Sequence, residues 1–166
     1  FWWAGCDWGR RSCRHRPPYT LHPERASRSW SMYSTTSGNF NTSVGSNALY
    51  ANTEGIFNSS FGSYALNSSV DGDHNTAIGT YALNQNVGGG QNTALGNGSM
   101  YDNTSGSENI AVGFYSLKKN TTAASNIAIG VRALYNNTTI SNLVAIGQEA
   151  LYNNSTGGER NTAVGS

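Results

Sequence analysis

Few places in this sequence are equipped for chemistry. The run Asp71-Gly72-Asp73-His74 sets two carboxylates and an imidazole within four residues, a group able to hold a hard or borderline cation. A cation-binding repeat would need Asp at regular intervals. The residues spaced in units of 17 from Asp73 are instead Ile56, Gly90, Ser107, Ala124, Ser141 and Gly158. The run is therefore read as a polar turn, and no metal or other cofactor is expected. His74 is the only His after residue 40, no Cys occurs there, and Ser and Thr recur as turn and strand residues. With no nucleophile set beside a base, the chain is not expected to be an enzyme.

Tyr offers a second chemistry. Tyr64, Tyr81 and Tyr115 share one repeat position, and Tyr50, Tyr101, Tyr135 and Tyr152 share another. Exposed aromatics at regular spacing can stack on a glycan or dock on a host-surface protein. The plainer reading, that they pack at a chain–chain interface or over turns, is preferred. Thr42, Ser59, Thr76 and Thr93 resemble an ice-ordering array, but Ile110, Ile127 and Val144 take over that position. The switch predicts burial in the later coils and leaves ice binding a distant third. Ten Asn-x-Ser/Thr sequons follow from the Asn- and Thr-rich repeat, and in a eukaryotic host those in turns, such as Asn103, Asn120 and Asn137, are candidate glycan sites.

Residues 1–40 differ in kind. They carry six of the ten basic residues, including Arg10-Arg11-Ser12-Cys13-Arg14-His15-Arg16, amid Trp2, Trp3, Trp8 and Trp30. Basic and aromatic interleaving is one signature of nucleic-acid binding, but an irregular tail is the preferred reading, and no nucleic-acid partner is expected. Cys6 and Cys13 are able to close a small disulfide loop in an oxidising compartment. The opening residues are too short and too soon charged for a signal peptide, and the chain, which lacks an initiating Met, is read as a piece of something longer. No apolar run approaches the roughly 18 residues that cross a bilayer, so no membrane span is expected.

The residues above are positioned by a repeat. Gly45, Gly62, Gly79, Gly96, Gly113, Gly130 and Gly147 recur every 17 residues, and Gly165 follows after 18. Each follows an apolar residue, among them Ile78, Ile129 and Ile146, and lies four residues after Asn in every unit except that of Leu143. Downstream recur a small and a large residue, as in Ala82-Leu83, Ala133-Leu134 and Ala150-Leu151, then a polar position, usually Asn. With Asn41 as position 1, the unit reads Asn-Thr-Ala-Ile-Gly-x-x-Ala-Leu-Tyr-x-Asn-x-Thr-Gly-x-x. Positions 2–4 and 7–10 are too short for helices and have the flanking Gly and Asn of strands.

This predicts an all-β solenoid of about seven 17-residue coils over residues 41–166, preceded by an irregular segment over 1–40. Stacked coils set each Gly, Asn and Leu over its counterpart, with Gly in a crowded or left-handed corner and Asn capping turns or forming ladders. The Ile or Val before the Gly is expected inside with Leu and Ala. Even so, the apolar burial and hydrogen bonds of one coil fall short of the cost of ordering it, which points to self-association.

The units Asn75-Thr76-Ala77-Ile78-Gly79, Asn92-Thr93-Ala94-Leu95-Gly96, Asn126-Ile127-Ala128-Ile129-Gly130 and Leu143-Val144-Ala145-Ile146-Gly147 resemble the head repeats of trimeric autotransporter adhesins. Similar units occur in phage and large-virus tail fibres. The resemblance covers residues 41–166 and implies a left-handed parallel β-roll, a homotrimer, and a structural or adhesive role at a cell or virion surface. The adhesin unit is usually shorter, and the extra length here falls in the turn at positions 12–17.

Overall fold

The computed structural model describes residues 30–156 and 158–166, together with one strand upstream of them. The strands are β1 (Arg25–Ser27), β2 (Thr42–Val44), β3 (Ser59–Phe61), β4 (Thr76–Ile78), β5 (Thr93–Leu95), β6 (Ile110–Val112), β7 (Ile127–Ile129), β8 (Val144–Ile146) and β9 (Thr162–Val164). They form one parallel sheet in sequence order, each pairing with the next. The register equals the repeat: Thr76 opposes Thr93, Ala77 opposes Ala94 and Ile78 opposes Leu95. The one-residue insertion before β9 is absorbed in the turn, since Val144 still opposes Thr162. The chain is an all-β solenoid.

Hydrogen bonding between coils continues through the turns. The Leu49 N–H donates to the Ala65 carbonyl of the following coil at 2.9 Å, while the Tyr64 N–H donates back to the Ser46 carbonyl at 2.9 Å. Turns thereby meet their backbone hydrogen-bonding requirement as a strand ladder does. This explains why segments without strand dihedrals keep the same period.

The interior is narrow. Ala77, Ala94, Ala111 and Ala128 from position 3 meet Leu66, Leu83, Met100, Leu117 and Leu134 from position 9, all fully buried. Successive side chains of a strand point to opposite faces, so position 3 inside puts positions 2 and 4 outside. The Ile or Val expected in the core therefore lies on the outer face: Ile78 is 41% exposed, Ile129 38% and Ile146 38%. Of the residues expected to be buried where Ile or Val replaces Thr, Ile110 is 40% exposed, and Ile127 and Val144 are half-buried, no more so than Thr42 or Thr76.

Two further expectations change. Positions 7–10 do not form a second strand, because positions 7 and 9 are left-handed: Tyr81 has φ 60° and Leu83 φ 49°. Position 17 is left-handed as well, as at Gln91 with φ 59°. These corners turn the chain and leave one strand per coil. The boundary drawn at residue 41 falls inside the stack, since β1 pairs with β2 and Met32 is buried one repeat before Leu49.

Candidate functional site

The repeated Gly residues occupy the tightest corner. Gly45, Gly62, Gly79, Gly96, Gly113, Gly130, Gly147 and Gly165 all have φ between 125° and 141°. A Cβ on Gly96 would sit 2.5 Å from the Gly113 carbonyl oxygen, so only Gly lets the coils approach this closely. Leu83 and Leu134 are core residues, and Leu151 is only partly buried at the last complete coil. All of these build the scaffold and present nothing to a ligand.

Buried Asn residues supply most of the interior polarity. The position-1 side chains bond along the stack: Asn75 Oδ1 accepts the Asn92 N–H at 3.0 Å, and Asn75 Nδ2 donates to the Gly89 carbonyl at 2.8 Å. Position 12 forms a second ladder, in which Asn103 Nδ2 donates to Asn86 Oδ1 at 2.7 Å and to the Gly106 carbonyl at 3.0 Å. The sequons at Asn103, Asn120 and Asn137 therefore belong to buried amides and are not open turn sites. Leu143, which interrupts the first ladder, is itself buried and its N–H is met by Asn126 Oδ1 at 2.9 Å.

The Asp-Gly-Asp-His turn is used internally. Asp73 Oδ1 accepts the Ile56 N–H at 2.8 Å, a role taken elsewhere by Ser107 Oγ for Gly90 and Ser141 Oγ for Ala124. Position 16 therefore alternates between coils that accept and coils that are capped, a two-coil period within the 17-residue one. His74 stacks on Phe57 at 5.1 Å, and Phe57 stacks on Phe40 at 4.9 Å. Among the described residues no three of His, Cys, Asp and Glu come together to hold a metal ion. Cys6, Cys13, Trp2, Trp3, Trp8 and the arginines of the first 16 residues lie outside the described residues.

Two outward surfaces remain. The first is the outer face of the sheet. In the N-terminal coils it alternates hydroxyls with single apolar residues, but from β6 onward it carries Ile110, Val112, Ile127, Ile129, Val144 and Ile146, flanked by Phe114 and Val131 at 43% exposure each. Of these, Ile110, Ile129 and Ile146 are exposed, while Val112, Ile127 and Val144 are half-buried.

The second surface is the Tyr corner. Tyr64 and Tyr81 stack at 5.2 Å between centroids, and Tyr135 and Tyr152 at 5.1 Å. Stacking along the solenoid axis uses up ring faces and leaves edges and hydroxyls outward, which reduces the platform available to a sugar ring. Tyr115 departs from this, lying edge-on to Tyr135 with its ring over Gly98. Lys118 completes the corner, with Nζ 5.2 Å from the Tyr101 centroid, 5.7 Å from Tyr115 and 5.8 Å from Tyr135. The repeat pattern does not predict Lys118 or Phe114, because each stands alone in its own column.

Comparison with protein-family models, with curated proteins and with solved structures finds no match for the chain.

Proposed function

We propose that this chain is a non-catalytic, structural or adhesive segment of a fibre displayed at a cell or virion surface, self-associated as a homotrimer. The observation that carries the proposal is the outer sheet face. A solenoid already closed by its own hydrogen bonds leaves Ile110, Ile129 and Ile146 38–40% exposed in the single chain, and copies set around a common axis would cover that face. The likeness of the Asn-Thr-Ala-Ile-Gly units to adhesin heads and tail-fibre repeats supports the same reading and implies the three-fold arrangement. Function then lies in rigidity and display, with no bond made or broken. Sedimentation equilibrium of the full chain tests it, with a mass of three chains expected.

A second reading, a receptor- or glycan-binding module, draws on the Tyr corner. The axial stacking of most rings counts against a broad sugar platform, and it confines the binding reading to the stretch around Tyr115, where the ladder of stacked rings is broken.

A further inference from the structure

Lys118, Lys119 and Arg132 are the only basic residues between positions 41 and 159, and all fall within neighbouring coils. Lys118 Nζ lies within cation–π range of Tyr101, Tyr115 and Tyr135. Lys119 Nζ is 5.6 Å from the same Tyr135 ring. Arg132 follows Tyr115 by one repeat and is held to the preceding coil through its N–H on the Phe114 carbonyl at 2.9 Å. In a repeat region where Asp and Glu outnumber Lys and Arg, this is a local concentration of positive charge embedded in Tyr rings.

The carboxylates at the cluster are Asp102, 3.5 Å from Lys118 Nζ, and Glu149, 3.3 Å from Arg132 Nη1. Lys119 is exposed and pairs with no carboxylate among the described residues. Three cations against two carboxylates leave one ammonium uncommitted beside aromatic edges and phenol hydroxyls.

We infer that Tyr101, Tyr115, Lys118, Lys119, Arg132 and Tyr135 form a binding site for an acidic polysaccharide. The ammonium groups meet its carboxylate or sulfate, and the Tyr rings meet its sugar edges. Polysaccharide residues and solenoid coils advance by similar steps of about 5 Å, so a chain laid along the axis meets successive coils in register. The inference rests on the binding-module reading and is independent of the number of chains in the assembly.

Isothermal titration of the full chain with a sulfated heparin oligosaccharide, an oligogalacturonate and a neutral cello-oligosaccharide tests it. The arginines of the first 28 residues contribute a background common to all variants, so the readout is the difference between variants. Lys119→Glu is expected to weaken the anionic ligand about tenfold, and Asp102→Asn, which frees Lys118, to tighten it about threefold. Both effects shrink with added salt. A purely structural Lys118–Asp102 pair does not predict the tightening, and Asp102→Asn carries the test should Lys119→Glu fail to fold. Response to one anionic ligand alone supports the site and identifies the acidic group it takes. Unchanged affinity in both variants, or equal binding of the neutral oligosaccharide, overturns the inference. Its failure leaves the sedimentation result for the fibre untouched.

Discussion

Asn92 Oδ1 accepts the backbone N–H of Asn109, its counterpart one coil on, at 3.0 Å, while Asn92 Nδ2 donates to the Gly106 carbonyl at 2.8 Å. One buried amide thus supplies an acceptor to the next coil and a donor to the turn that closes its own. Asn92→Ala strips a partner from two buried backbone groups. It is expected to cost about 2–4 kcal/mol, read as a lower urea midpoint with unchanged slope. Asn→Leu is tolerated in the chain at Leu143, but that position lies where the ladder ends. At Asn92, Leu is expected to cost as much as Ala.

Gln91 is exposed and left-handed at φ 59°, and its N–H bonds the Asp73 carbonyl at 2.9 Å. An L-residue in this region carries roughly 1–2 kcal/mol of steric cost that Gly avoids, offset in part by the larger unfolded-state entropy of Gly. Gln91→Gly is therefore expected to raise stability by about 0.5–1 kcal/mol. Thermal melts of the two forms check it, and a lower melting temperature would count against the left-handed corner at position 17.

Glycosylation distinguishes the buried ladder from the surface. Asn97 and Asn153 are exposed, whereas Asn103 and Asn120 are fully buried within the position-12 ladder. When the chain is produced in a eukaryotic secretory host, the folded fraction is expected to carry glycan at Asn97 or Asn153 and none at Asn103 or Asn120. Peptide mass spectrometry of the folded material reads this directly. A glycan on Asn120 in folded protein would contradict the ladder.

The coil was legible because Gly, Asn and Leu recur at a spacing that no helix or conventional domain requires. Its inside and outside were not. Ala77 and Ile78 are adjacent and both apolar, and a three-residue strand has too little alternation to say which faces the core. The decision comes from space: the coil is so narrow that Ala at position 3 fits against Leu, and Ile must go out. From sequence alone Tyr81-Ala82-Leu83 reads as part of a strand, because Leu gives no sign of a left-handed backbone. Only the stacked fold, which holds the Leu83 N–H on the Ser99 carbonyl at 3.0 Å, selects φ 49° there. The Asn ladder was anticipated at positions 1 and 12. The Lys118 cluster was not, because a single substitution in one column carries no periodic signal.

Ile129, on the outer face between Ile110 and Ile146 in the ladder of coils, separates folding from assembly. Ile129→Asp places a carboxylate on a face that is 38% exposed at this residue in the single chain and that the proposed assembly would bury. It is expected to cost the monomer about 1–2 kcal/mol, through lost apolar burial and the low strand preference of Asp, and to leave it folded. At a chain–chain interface the same carboxylate has no partner, and it is expected to weaken association by about 100-fold or more.

Sedimentation equilibrium of the full chain beside Ile129→Asp tests the self-associating fibre most directly. The account predicts a mass of three chains for the unsubstituted protein and one chain for the variant, with the same β-signal from both. A fully folded single chain for the unsubstituted protein, across the concentrations at which a fibre segment assembles, would contradict it.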